Sequence, residues 1–141
     1  MEAFDRLVRT ETVLWNLLEG RLLTEGRAGL GTLQALRVLK HHDGRGRVED
    51  LRRELSITNG ATSKLVDRMQ RAGLVSRTAH PDDRRSSLIV LTDSGEAEAA
   101  AGAALTRSFI EQVISEEDAA ALVPLLARIE RHAAPPVDSA S

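Results

Sequence analysis

The chain has 141 residues, of which 42% are hydrophobic and 28% charged, a balance typical of one folded globular domain. Aromatic residues make up 2%, so the core must be aliphatic. Cysteine is absent, which excludes disulfides, thiolate nucleophiles and cysteine-based zinc or redox sites. Because no apolar run approaches the length of a membrane span, we expect a cytoplasmic protein that binds no membrane.

Charge is distributed unevenly, although the net charge is only −2. Residues 45–85 contain ten Lys or Arg and six Asp or Glu, a local balance of +4, whereas the remainder contains nine and fifteen. A basic middle between acidic ends suits contact with phosphate groups. A solvated charged face would give the same count.

Four helices are predicted in the first half of the chain. Apolar residues recur at three- and four-residue steps over residues 4–24, which predicts an amphipathic helix. A second helix ends near residues 41–44, and a short third helix covers 48–55. Residues 56–60 predict a tight turn in which Thr58 caps a fourth helix. Two helices joined in this way form a candidate helix-turn-helix.

Two strands are predicted next, over residues 74–80 and 86–92. The polar connection 81–85 opens with proline, which indicates a β-hairpin. A helix-turn-helix followed by a basic hairpin is a winged helix. The predicted fold class is therefore mainly α (α+β), a winged helix-turn-helix with long terminal helices.

A fifth helix begins near Asp93 and a sixth near Ser115, where acidic residues suit the positive helix N-terminus. Residues 134–141 are rich in Pro, Ala and Ser, which predicts a disordered tail. The first, fifth and sixth helices carry more aliphatic surface than one small winged lobe can cover. We therefore expect a homodimer.

Two segments resemble the MarR family of bacterial regulators. Residues 65–75, LVDRMQRAGLV, resemble the end of its recognition helix, and residues 82–95, DDRRSSLIVLTDSG, resemble its wing signature. The resemblance implies a single domain over residues 1–133. About 30–95 would form the DNA-binding lobe, and about 1–28 and 93–132 the dimerisation helices.

The resemblance also implies a function. Members of the family are transcriptional regulators, by default repressors, that bind a palindromic operator as homodimers. Many of them release DNA when a small ligand, often an aromatic acid, binds between the dimer helices and the DNA-binding lobe.

The fourth helix has a polar side that faces away from its predicted core. A major groove admits an α-helix, whose first turns reach the base edges. Asn59 suits a paired contact with adenine, and Ala61 suits a thymine methyl group. The candidate DNA contacts on this helix are Asn59, Gly60, Ala61, Ser63, Lys64 and Arg68. Ion pairs along a solvated helix are the alternative for Lys64, Asp67, Arg68 and Arg71.

Arg84 and Arg85 are predicted at the hairpin tip. A narrow minor groove attracts inserted arginine, which makes both candidates for DNA contact. In the resemblance, Arg85 matches the wing arginine and Asp83 the acidic residue that braces the tip. A solvent-exposed turn is the alternative.

A ligand crevice is the least constrained prediction, with Trp15, Arg37, His41 and His42 as its candidates. The preferred alternative for Trp15 is a core or dimer-interface position, and His41 and His42 also suit a helix C-terminus. Spacing does not bring the histidines together, so neither a metal nor a cofactor is predicted.

An enzyme is not expected, because no Ser-His-Asp or phosphate-loop spacing occurs. The rival to a DNA-binding regulator is a winged-helix protein-interaction module, or a co-regulator without its own DNA site.

Overall fold

The computed structural model describes residues 1–133, apart from the side chains of residues 83–86. The predicted tail, residues 134–141, lies outside the described residues. The elements are α1 (Glu2–Thr24), α2 (Leu30–His41), β1 (Arg45–Arg47), α3 (Val48–Leu55), α4 (Asn59–Arg71), β2 (Val75–His80), β3 (Asp83–Leu91), α5 (Asp93–Val113) and α6 (Glu116–Ala133). This order confirms the predicted fold class, with the helix-turn-helix formed by α3 and α4 and the wing by β2 and β3.

The chain divides into two compact units, Met1–Thr106 and Arg107–Ser141. The whole winged helix lies in the first unit, which also contains α1 and the first part of α5. Within residues 1–133, no helix is both long and apolar enough to cross a membrane.

The first unit has an aliphatic core, as the composition predicts. Thr62 is also fully buried, and its hydroxyl donates a hydrogen bond of 2.8 Å to the Thr58 carbonyl, which satisfies the buried polar group. The largest fully buried apolar side chains are those of Leu22, Leu36, Leu39, Leu51, Met69, Val66 and Ile89.

A three-stranded antiparallel sheet has the order β1-β3-β2. Strand β1 was not predicted, because Arg-Gly-Arg has no strand periodicity of its own. It forms by pairing with β3, where Gly46 lies opposite Ile89. A Cβ on Gly46 would lie 3.2 Å from Leu39 Cδ2, so the strand runs close over α2.

The wing turn is shorter than the predicted connection of residues 81–85. Strand β3 begins at Asp83, which pairs with His80, so that Pro81 and Asp82 alone separate the strands. The prediction that Arg84 and Arg85 lie in the connection is therefore wrong: their backbone belongs to β3, next to the turn. A register shift leaves Arg84 and Arg85 in the unpaired stretch of β3 between Asp83, which pairs with His80, and Ser87, which pairs with Ala79.

The residue types of 74–80 predict alternating side chains, but burial does not alternate along β2, the first strand of the wing. Val75 is buried, but residues 76–79 are all exposed. The register shifts between Ala79 and His80, as at a β-bulge. Beyond its first residue, β2 therefore adds no buried side chain to the core.

Helix α5 begins against the base of the wing. Thr92 caps it by accepting a hydrogen bond of 3.0 Å from the Gly95 N–H, and the Thr92 hydroxyl donates to the Gly73 carbonyl at 2.6 Å. A Cβ on Gly95 would lie 2.0 Å from the Leu74 carbonyl oxygen. Backbone therefore occupies the space that any larger residue would need.

Two carboxylates hold the connection between α1 and α2. Glu98 of α5 accepts a hydrogen bond of 2.7 Å from the Ala28 N–H and pairs with Arg27 at 3.0 Å. Glu19 of α1 accepts one of 2.5 Å from the Leu30 N–H, at the start of α2. These contacts satisfy backbone donors that the helix start leaves free.

Helix α6 lies in the second unit and begins at a Ser115 cap, whose hydroxyl oxygen accepts a hydrogen bond of 3.0 Å from the Asp118 N–H. Pro124 lies inside the helix. No residue of α6 is buried. Its exposed apolar residues are Leu122, Val123, Leu125, Leu126 and Ile129.

The contact between Gly95 and Leu74 predicts that adding one methyl group at residue 95 destabilises the protein. We expect Gly95→Ala to lower the free energy of unfolding by about 2 kcal/mol, because the carbonyl it meets belongs to the backbone and cannot rotate away. Gly20→Ala in α1 is the matched control, since no atom lies within 4 Å of its Cβ position. Urea unfolding at one protein concentration measures both, and equal stability of Gly95→Ala and the native chain would contradict the packing described.

Candidate nucleic-acid interface

Helix α4 is anchored by its cap and by one buried stripe. The Thr58 hydroxyl oxygen accepts a hydrogen bond of 3.2 Å from the Ala61 N–H, which confirms the predicted cap. The helix begins at Asn59, so Asn59 and Gly60 form its first turn rather than the preceding turn of the chain. Its buried residues are Thr62, Leu65, Val66 and Met69.

The opposite side of α4 is open to solvent. Nothing lies within 4 Å of the Cβ position of Gly60, so a partner can approach the backbone closely there. The free N–H groups of the first turn give this end of the helix a partial positive charge. All six predicted contact residues on this helix are exposed: Asn59, Gly60, Ala61, Ser63, Lys64 and Arg68.

The cations of α3 and α4 differ in their partners. Arg52 of α3 pairs with Glu49 at 2.5 Å, and this hydrogen bond lowers the pKa of the Glu49 carboxyl and raises that of Arg52. Arg53 pairs with Asp50 at 3.0 Å. Among the described side chains, no ion pair involves the three α4 cations, Lys64, Arg68 and Arg71. Ion pairing along a solvated helix therefore describes α3 and does not describe α4.

Asp67 has a partner outside its own helix. Its carboxylate accepts a hydrogen bond of 2.5 Å from Arg77 Nη2 of β2, and Arg77 Nε donates to Gln70 at 3.1 Å. Sequence reasoning missed this contact, because it depends on the register of the wing strands. Asp67 is therefore directed to the wing, rather than to another residue of α4.

The base of the wing carries further basic residues that sequence reasoning missed. Arg45 and Arg47 of β1 are exposed, and Arg47 Nη2 lies 2.9 Å from His80 Nε2. The Asp82 N–H donates to His80 Nδ1 at 3.1 Å, next to the wing turn. The available sequence signal was composition, since Arg45 and Arg47 belong to the basic middle of the chain.

The wing candidates Asp83, Arg84 and Arg85 are the first residues of β3. Their side chains lie outside the described residues. Their roles in bracing the wing and contacting DNA therefore stay predictions, placed by the backbone beside the turn.

The four residues of the predicted ligand crevice lie at different places. Arg37 and His41 line a shallow cavity of about 380 Å³ with Glu54. His41 and His42 line another of about 520 Å³, which also borders His80. Trp15 of α1 is 36% exposed and lines neither.

The histidines do not assemble a metal centre in the part of the chain that is described. His42 contacts the Glu54 carboxylate instead. No group of three His, Asp or Glu among these residues has a geometry that would hold a metal ion.

A capped and exposed helix, preceded by α3 and followed by the wing strands β2 and β3, defines a winged helix-turn-helix protein. Residues 29–86 match the MarR family model. The winged lobe of this chain is therefore similar to that of the MarR family of winged helix-turn-helix transcriptional regulators, as the two sequence segments indicated.

Relatives agree with this assignment. The uncharacterized HTH-type transcriptional regulator YdgJ of Bacillus subtilis (strain 168) is 27% identical over 103 residues. That match covers 71% of this chain and 62% of YdgJ, so the chain spans less than two thirds of that relative.

Solved structures share the fold. AbsC, a MarR family transcriptional regulator from Streptomyces coelicolor, is 26% identical with a TM-score of 0.78, over 92% of this chain and 90% of AbsC. Sco3205 of the same organism, a MarR family regulator in complex with DNA, is 21% identical with a TM-score of 0.81. The alignment with Sco3205 covers 95% of this chain and 87% of that protein.

The cap of α4 generates a prediction. Thr58→Ala removes the acceptor of the Ala61 N–H, and we expect it to lower the free energy of unfolding by about 1 kcal/mol. Thr58→Ser keeps the hydroxyl and should retain most of the stability. Chemical denaturation of the three proteins checks this, and it would be contradicted if the alanine variant matched the native chain.

Proposed function

We propose that this protein is a sequence-specific DNA-binding transcriptional regulator that inserts α4 into a major groove. The observation that carries the proposal is the outward face of α4, whose cations have no ion-pair partner among the described residues. A buried stripe holds this helix on the lobe, so its exposed side is presented rigidly. The same fold in Sco3205 occurs in complex with DNA, which supports the proposal.

The residues of this face have distinct proposed roles. Asn59 lies in the first turn, where it would make a paired contact with adenine, and Ala61 would contact a thymine methyl group. Gly60 would let the backbone approach the groove. Lys64 and Ser63 would contact bases or phosphates, and Arg68 a phosphate, which adds affinity without sequence information.

The wing would contact the neighbouring minor groove. The backbone of Arg84 and Arg85 lies beside the two-residue turn, at the far end of the hairpin. Arginine side chains that start there would enter a narrow minor groove, where negative potential is concentrated. Asp83 would brace them.

A homodimer and an inverted-repeat operator complete this part of the proposal. One chain offers one recognition helix, and a two-fold dimer would offer two, about one DNA turn apart. Within the first unit, α1 leaves Phe4, Val8 and Leu17 about half exposed or more, and in the second unit the apolar residues of α6 are exposed. Covering such surfaces favours association. In the proposed dimer, residues from about 30 to 95 would form the DNA-binding lobe. Residues from about 1 to 28 and from 93 to 132 would form the dimerisation helices.

The regulator would be a ligand-responsive repressor in the cytoplasm, with an aromatic acid as effector class. The similarity of residues 29–86 to the MarR family, whose members are by default repressors, supports repression. The exposed basic side chains of Arg37 and His41 beside a cavity of about 380 Å³ would offer hydrogen-bond donors to a carboxylate, and His42 and Trp15 are the further candidates. Equilibrium binding of aromatic acids, with and without operator DNA, tests this part separately.

Selection from a randomised duplex-DNA pool tests the main proposal. We expect an inverted repeat with half-sites about one helical turn apart, and affinity that falls as salt rises because phosphate contacts release counterions. Lys64→Ala should then lower the affinity for the selected site about tenfold. Arg6→Ala on α1 removes the same charge from an exposed pair with Glu2 and should leave affinity unchanged.

Weak binding without any sequence preference would overturn the proposal and favour the protein-interaction module. So would equal losses for Lys64→Ala and Arg6→Ala, since charge alone would then account for binding.

Association is a separate prediction. We expect the native chain to sediment as a dimer at micromolar concentration, and Leu17→Glu to shift it towards monomer by placing a charge on an apolar surface. Thr10→Glu, at an exposed polar position of the same helix, is the matched control and should remain dimeric. A monomeric native chain would refute the dimer.

A further inference from the structure

Arg77 occupies an unusual position on the wing. It pairs with Ile89 of β3, which is fully buried, and it follows the buried Val75 by two residues. Directly paired residues of antiparallel strands, and residues two apart on one strand, share a face of the sheet. Arg77 therefore lies on the core side of β2, where an apolar residue would extend the core.

The guanidinium of Arg77 reaches α4 through two different nitrogens. Nη2 donates to Asp67 Oδ1 at 2.5 Å, and Nε donates to Gln70 Oε1 at 3.1 Å. Asp67 and Gln70 are three residues apart and so lie on one side of the helix. A planar guanidinium serves two fixed acceptors at once, which the single ammonium of lysine does less well.

These are the side-chain hydrogen bonds between β2 and α4 within the described residues. Residues 76–79 of β2 are exposed, so apolar burial does not hold this part of the strand on the helix. The side chain of Arg77 itself is 35% exposed. The position of the outer wing relative to α4 thus depends on a polar contact.

We propose that Arg77, Asp67 and Gln70 form a clamp that positions the wing relative to the recognition helix. The inference rests on the proposed function: a protein that reads a major groove and the adjacent minor groove must hold its two reading elements at a fixed spacing. A wing that is already ordered before binding loses less conformational entropy when it binds DNA. Arg77 is thus a positioning residue for the wing arginines.

The rival role for Arg77 is direct contact with a phosphate. The two roles differ in what the wing arginines contribute. A positioning residue acts through Arg84 and Arg85, so its loss has no effect once they are removed. A phosphate contact acts independently of them, so its loss adds to theirs.

Arg77→Lys and Gln70→Ala test the clamp without changing any charge. We expect each to weaken binding to the selected operator about threefold to fivefold. In an Arg84→Ala/Arg85→Ala background the same changes should alter affinity by less than about 1.5-fold. Arg6→Lys, the same substitution in the exposed pair on α1, should have no effect in either background. Losses that persist in the double-alanine background would overturn the clamp in favour of direct contact.

Amide hydrogen exchange of the DNA-free protein provides a second readout. We expect faster exchange at residues 76–80 in Arg77→Lys and Gln70→Ala, with unchanged exchange in α2, because the wing loosens while the core stays folded. Unchanged exchange along β2 would overturn the clamp even if both variants bound the operator more weakly. If the native chain bound no operator while both variants still exchanged faster than the native chain at residues 76–80, the proposed function would be contradicted. The clamp would then remain supported.

Discussion

The approach of α5 to the backbone at Leu74 is the constraint on which the winged lobe depends. Gly95 permits this close approach because it has no side chain, whereas a Cβ at this position would overlap the Leu74 carbonyl. The Thr92 N–H donates to that same carbonyl at 3.1 Å, and the Thr92 hydroxyl donates to the carbonyl of Gly73. The end of β3 is thereby fixed to the end of α4. The wing consequently starts and finishes next to the end of α4, and its free end projects from there.

Sequence periodicity was sufficient for the helices but insufficient for the sheet. Aliphatic residues repeat with the helical period, and local signals such as the Thr58 cap mark where α4 begins. Strand β1 carries no such pattern, since it exists through pairing with β3. The start of β3 at Asp83 was missed because it is set by backbone pairing with His80 across the turn, which the side-chain pattern does not show.

The candidate site shows the same difference between features that helix periodicity predicts and features that depend on strand pairing. Exposure of the α4 contact residues could be predicted, because assigning the buried stripe of a helix also assigns its opposite face. The contact of Arg77 with Asp67 could not, since it requires the register that places Arg77 opposite Ile89. The crevice candidates were chosen by residue type alone, and the fold separates Trp15 from the cavities that Arg37 and His41 border.

Charge in the lobe has two separate uses. The pairs of Arg52 with Glu49, Arg53 with Asp50 and Arg77 with Asp67 cancel locally, so they orient side chains while adding little to the field beyond the surface. Lys64, Arg68 and Arg71 have no such partner among the described residues, so their field extends outwards. Attraction to a polyanion can therefore come from one set of cations, while the geometry of contact is set by another. This separation explains how a chain with a net charge of −2 can present a basic reading surface, because its excess acidic residues lie outside the basic middle of the sequence.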